Sequence, residues 1–376
     1  MANTFFLILL IAILCFKSRS LVRIDRAFNE RLEQSHSRRN SNNPHIPNVS
    51  VVISMKDELL NARACIECLQ AQEYEGEVEI VVVLPNKDDP TYPLVSMFES
   101  ESDLKIVFSE ASGKMIQMHN GVEKSSFDIV AFIDADCRSR PLWLKTLVHE
   151  LVQSSSDSVG SGGLPLQNSF LSAGEAYDLT ISLAAGLSKG GTWTGNVVMW
   201  KNSYYAFGGL GDSPEVISVD REINKRMARS HRKHKVVVDQ RVLMDIAASS
   251  IRELFWQRTR WNASILELGG KASGIAFTRM LRYLLYPIML ALGLLAILVN
   301  SLNSIFYVPF IVISACYLID VFFVRRWMKT LGIKPSLKGV TAYFAVILLT
   351  AVSLANAILF YITGKSRKWQ YGRHKG

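Results

Sequence analysis

From Tyr283 to Ile319 the chain carries no charged residue, and a second uncharged run extends from Gly339 to Gly364. A membrane-spanning helix needs about 20 consecutive apolar residues, so both runs have the length of bilayer spans. The polar patch Asn300, Ser301, Asn303 and Ser304 divides the first run into a helical hairpin. Between the two runs lie Arg325, Arg326, Lys329, Lys334 and Lys338, a basic loop that the positive-inside rule places in the cytoplasm. Residues 277–364 are therefore expected to form a transmembrane region of about three apolar segments. The 49% hydrophobic content of the 376 residues excludes a disordered or low-complexity chain.

A further apolar stretch, Ala2 to Phe16, is followed at once by Lys17, Arg19, Arg23 and Arg26. It lacks the basic leader and small-residue cleavage site of a signal peptide, so residues 1–20 read as an uncleaved anchor and 21–47 as a basic, polar linker. The trailing charges place the segment from Leu21 to about Ala276 on the cytoplasmic side. This makes the chain a multi-pass integral membrane protein, in the cell inner membrane of a bacterium or the Golgi or ER of a eukaryote. Three C-terminal spans would put the basic tail 365–376 outside, so one apolar run is expected to be re-entrant or interfacial. The net charge of +9 is then a topology signal, and no nucleic-acid partner is expected. Five scattered cysteines, at 15, 65, 68, 137 and 316, imply no disulfide framework, and Cys65 and Cys68 read as thiols on one helix face.

Between the anchor and the spans, residues 48–276 read as a cytosolic α/β domain with an open, mostly parallel sheet. Strand signals occur at Val49 to Ser54, Val78 to Leu84, Lys105 to Phe108, Ile129 to Ile133 and Lys235 to Val238. Helical spacing separates them at Glu58 to Gln72, Met115 to Lys124 and Leu142 to Gln153. Ligands of such sheets sit beyond the carboxyl ends of the strands. Carboxylates stand at two of those ends: Asp88-Asp89-Pro90 after the second strand, and Asp134-Ala135-Asp136 after Ile129 to Ile133. In extended chain, residues i and i+2 point the same way, so Asp134 and Asp136 can offer oxygens to one Mg²⁺ or Mn²⁺ shared with substrate phosphates.

These residues, with Gly113-Lys114, Trp193-Thr194-Gly195-Asn196, Phe207-Gly208-Gly209, Asp220 and Gln257-Arg258-Thr259-Arg260-Trp261, resemble an inverting family 2 type glycosyltransferase of the GT-A fold. The family's Q-x-x-R-W signature is matched in full. The D-D-P, Gly163-Leu164-Pro165 and closing Trp369-Gln370-Tyr371-Gly372-Arg373 are most similar to the ceramide glucosyltransferase branch. The resemblance implies a UDP-sugar donor, contacted by Asp89, Asp134, Lys114, Gln257, Arg260 and Trp261. It also implies a metal on Asp134 and Asp136, Asp220 as general base, and a membrane-lipid acceptor. Trp193 and Asn196 are acceptor-site candidates. The complete D-x-D is stricter than that branch's second carboxylate motif, and no histidine occurs from Tyr177 to Gly191. Ceramide, sterol-like, hopanoid and glycerolipid acceptors therefore stay open. The alternative is a processive polysaccharide synthase of the hyaluronan, chitin or cellulose synthase type, which shares the D-x-D and Q-x-x-R-W motifs.

Overall fold

The computed structural model describes residues 2–37, 46–99, 103–109, 113–189, 193, 195–211, 219–267, 282–288, 290–291, 294–295 and 308–363. The described residues divide into an α/β unit (within 30–166 and 186–247) and a helical unit (within 2–29, 167–185 and 248–363).

In the α/β unit, β1 (Val49–Ser54), β2 (Val78–Leu84), β3 (Leu104–Phe108) and β4 (Ile129–Ile133) pair in parallel, in the order β3-β2-β1-β4. The sheet continues through β8 (Asn196–Trp200) and β6 (Ser158–Gly160) to β9 (His234–Val236). Here β8 runs antiparallel to both β4 and β6. The expected mostly parallel α/β sheet is thus present.

Its central strands are continuous β-branched runs because helices cover both faces. Val49, Val51 and Ile53 face one core with α2 (Ala62–Gln70) and α5 (Trp143–Gln153), while Val52, Val81 and Val83 face another with α4 (Lys114–Lys124). A smaller sheet joins β5 (Cys137–Arg138), β10 (Met244–Ile246) and β7 (Gly163–Pro165). The expected helix from Glu58 begins only at Ala62, because Asp57 adopts φ 55° and turns the chain after β1. Cys65 is buried and Cys68 partly so on α2, as the spacing predicts.

The helical unit contains most of α1 (Ala2–Ser37) and α6 (Phe170–Lys189), then α9 (Ile251–Glu267), helical residues 282–288, α10 (Val308–Thr330) and α11 (Leu337–Ile362). Helix α1 is one 36-residue element, so residues 21–37 are helical rather than a linker. The reason is packing: Phe28 is buried against Trp327, and Trp327 Nε1 donates to Asp25 Oδ1 at 2.9 Å.

Among the described residues, α11 is the one helix long and apolar enough to cross a membrane. Its 26 residues extend about 39 Å. The polar patch at 300–304 and the tail 365–376 lie outside the described residues.

Helices α6 and α11 approach closely through glycine. A Cβ on Gly174 would come within 2.5 Å of the Ala342 backbone, and one on Gly339 would enter the Tyr177 ring. Helix α9 also packs on α11, with Trp256 stacked on Phe360 and Asn262 Nδ2 donating to Ser353 Oγ.

Candidate active site

Strand β1 lies between β2 and β4, and the residues after these three strands converge at their carboxyl ends. Asp89, after β2, is buried; its Oδ1 accepts from Thr91 N at 2.9 Å and its carboxylate from Asp57 N at 3.3 Å. Asp89 therefore ties the turn after β2 to the turn after β1.

Asp134 comes directly after β4, where Ile133 pairs with Asn196 of the antiparallel β8. That register brings Gly195 beside Asp134: a Cβ there would lie 3.0 Å from Asp134 Oδ2 and 2.7 Å from the Trp193 ring. The same ring covers Gly163, where a Cβ would also lie 2.7 Å from it. Trp193 thus lies against two glycines at the edge of the carboxylate site.

Lys114 opens α4 behind Gly113, whose φ of 119° favours glycine. Lys114 Nζ reaches Asp134 Oδ1 at 2.5 Å. Desolvation opposes the ammonium charge, yet Asp134, Asp220 and Asp136 together raise its pKa above the usual lysine value. Burial pushes the Asp136 carboxyl up; the charges of Asp134 and Glu58 add to this and Lys114 opposes it.

The environment therefore holds four carboxylates, Asp134, Asp136, Asp220 and Glu58, acting on or beside one lysine. Such a surplus of negative charge fits a divalent cation. Among the described residues no group of three or more His, Cys, Asp or Glu side chains is placed to hold a metal ion. Two carboxylates completed by substrate phosphates are nevertheless the usual protein share of a Mg²⁺ site.

Asp220 lies in the first turn of α8 (Val219–Arg229). Its neighbour Glu222 is engaged by Arg226 Nε at 2.9 Å and Lys225 Nζ at 3.3 Å. Burial raises the Glu222 carboxyl, but these hydrogen bonds outweigh it and leave the pKa below the usual value. Glu222 is accordingly a poor proton acceptor, and Arg226 Nη1 also donates to Gly209 O at 2.6 Å, tying α8 to the Phe207-Gly208-Gly209 turn.

Asn196 is fully buried, donating to Gly162 O (2.9 Å) and Val242 O (2.6 Å) and accepting from Trp143 Nε1 (2.8 Å). Its amide locks the start of β8. Gln257, Arg260 and Trp261 share one face of α9 in the helical unit, where Arg260 is exposed and the other two are half-buried. The sequence presented Glu58 only as a helix start and Gly195 and Arg258 only as motif members, without a site role for any of the three.

Residues 50–165 match the family model for glycosyl transferase family 2. The match contains β1, β2, β4, Asp89, Lys114, Asp134 and Asp136, and with the mostly parallel sheet it marks the α/β unit as GT-A-like. A curated relative, glycosyltransferase AglE of Haloferax volcanii, is 31% identical over 118 residues. That alignment covers 31% of this chain and 39% of the relative, so the chain spans about two fifths of the protein it matches. Among solved structures, the mannosyltransferase PcManGT from Pyrobaculum calidifontis, in complex with GDP-Man and Mn²⁺, aligns over 95% of this chain and 94% of its own. The TM-score is 0.46 and the identity 15%.

Proposed function

We propose that the protein is a membrane glycosyltransferase that moves one sugar from a UDP-sugar to a hydroxyl of a membrane lipid, inverting the anomeric carbon. The observation that carries this reading is the Lys114–Asp134 pair beside Asp136, at the carboxyl end of β4 within the family 2 match.

In the proposed reaction the acceptor oxygen attacks the anomeric carbon as the bond to the UDP oxygen breaks. Asp220 takes the hydroxyl proton, a role worth typically 10²- to 10⁴-fold in rate. The ionised, hydrogen-bonded state of Glu222 favours Asp220 for this role. Lys114 places positive charge where the leaving diphosphate gains negative charge. Asp134 and Asp136 are the residues that would hold Mg²⁺ or Mn²⁺, which would supply further charge stabilisation to the diphosphate. Asp89 is assigned to the nucleoside, and Gln257, Arg260 and Trp261 to the diphosphate and acceptor, by resemblance. Trp193 remains the acceptor-side aromatic, and Asn196 acts beneath it as a positioning residue. Helix α11 supports membrane residence, and that residence favours a lipid acceptor.

The test is UDP release by the full-length protein in detergent with Mn²⁺, across a panel of UDP-sugars, with and without a total lipid extract. Release that needs one sugar and lipid, and is lost in Asp136→Ala, is the expected result. Release with a growing polymer and no lipid would make the protein a processive synthase, and no release from any donor would overturn the assignment.

A further inference from the structure

The helical unit buries charges that the proposed chemistry does not use. Arg258 on α9 and Asp178 on α6 are both fully buried, and Glu175, one turn before Asp178, is nearly so. Arg258 Nη1 lies 3.0 Å from Asp178 Oδ2, and its Nη2 lies 3.6 Å from Glu175 Oε1. Asp178 also receives Arg282 Nη2 at 2.5 Å and the Tyr283 hydroxyl at 2.8 Å. Two arginines and two carboxylates thus balance one another, and Arg282 Nη1 carries the network on through the Tyr343 hydroxyl to Asp320 and Lys17. Well-packed apolar side chains often serve stability as well as a buried ion pair does, so the cluster invites a role in specifying one arrangement.

What it specifies lies on α9. The Arg258 guanidinium sits over the Trp261 ring at 4.8 Å from its centroid, one helical turn along. One face of the guanidinium thereby lies on the aromatic ring, and two of its nitrogens are in ion-pair range of two α6 carboxylates, although none of the three nitrogens makes a hydrogen bond among the described residues. This combination needs a planar fork, which lysine lacks. Gln257 and Arg260 flank Arg258 on the same helix, and among the described residues Gln257 Oε1 is buried with no hydrogen-bond partner. Arg258 thus joins Trp256 and Asn262, which meet α11, in orienting α9, while the Gln257 amide oxygen keeps bonding capacity in reserve.

We propose that Arg258, held by Glu175 and Asp178, is the positioning residue of the signature helix: it fixes the Trp261 ring and the face that carries Gln257 and Arg260. The functional half of this inference rests on the reading that this face meets the acceptor. The Glu175-x-x-Asp178 pair on α6 then belongs to the acceptor machinery although it lies outside the signature.

The experiment uses the full-length protein in lipid nanodiscs, with the indole N–H resonance of Trp261 assigned through Trp261→Phe. In Arg258→Lys and Asp178→Asn that resonance is expected to shift. The KM for the lipid acceptor should rise about tenfold or more, and the KM for the UDP-sugar should rise with it, because the same face is assigned to the diphosphate. Should Asp178→Asn fail to fold, Glu175→Gln, which loosens only the longer contact, is read in the same way. An unmoved Trp261 resonance in folded variants overturns the inference whether or not the protein transfers sugar. Loss of kcat with both KM values unchanged also overturns it, leaving Arg258 a structural ion pair. A shifted resonance in a protein that releases no UDP from any donor leaves the positioning intact and sinks the proposed activity instead.

Discussion

Lys114 Nζ and Asp134 Oδ1 stand 2.5 Å apart, so the first residue of α4 and the first residue after β4 are joined as an ion pair. Replacing Lys114 by Met leaves Asp134 and Asp136 without the lysine that offsets their mutual repulsion. A charge-assisted hydrogen bond contributes about 1.5–3 kcal/mol, so the KM for the UDP-sugar is expected to rise roughly 10- to 100-fold. Steady-state kinetics of UDP release measure this, and an unchanged KM would remove Lys114 from the donor site.

Asp220 and Glu222 differ in their partners, and their neutral variants should differ in effect. Asp220→Asn is expected to lower kcat by about 10²- to 10⁴-fold with UDP binding retained. Glu222→Gln weakens the Glu222–Arg226 pair within α8 but removes no base, so its kcat should fall far less. The two kcat values measured side by side decide, and equal losses would transfer the base assignment away from Asp220.

Asn196→Ala deletes three hydrogen bonds from a buried site. Each orphaned partner costs about 1–3 kcal/mol, so unfolding of the α/β unit should become easier by about 3 kcal/mol or more. Chemical denaturation of the purified protein reads this loss. A variant of full stability with a selectively raised acceptor KM would show instead that the amide serves the acceptor directly.

His234 gives the fold a pH dependence. Burial, aided by the charge of Arg31, lowers its pKa from the ordinary 6.5 to about 4, and its Nδ1 lies 2.8 Å from Ser158 Oγ. A depressed folded-state pKa contributes stability that is fully present above pH 6.5 and lost as pH falls from there towards 4. The loss is on the order of 2–3 kcal/mol. Denaturation midpoints at pH 7 and pH 5 should differ, and His234→Gln should flatten the difference; identical slopes in both proteins would exclude His234 as the cause.

The parts of the fold that could be read in the sequence are those where local pattern and burial agree. Strands β1, β2 and β4 have their expected bounds because runs such as Ile129 to Ile133 are apolar on both faces. Strands β5, β7 and β10, of two or three residues each, carry no such pattern and exist only because distant segments pair. The same distinction governs the site. Asp134 and Asp136 are close by spacing alone, but Lys114 lies on another element and Gly195 arrives through the antiparallel register of β8. Arg258 was visible as a residue and hidden as a role, because its partners on α6 lie about eighty positions earlier.

The glycine contact between α6 and α11 bears on biosynthesis. Gly174 leaves the ribosome long before Gly339, yet the surface that lets α6 pack requires Ala342 and Tyr343 of the later helix. Until α11 has been synthesised, α6 must keep Glu175 and Asp178 without this cover. Ribosome-bound intermediates that end before Leu337 should therefore remain protease-sensitive in α6, and emergence of α11 through Ile362 should protect it.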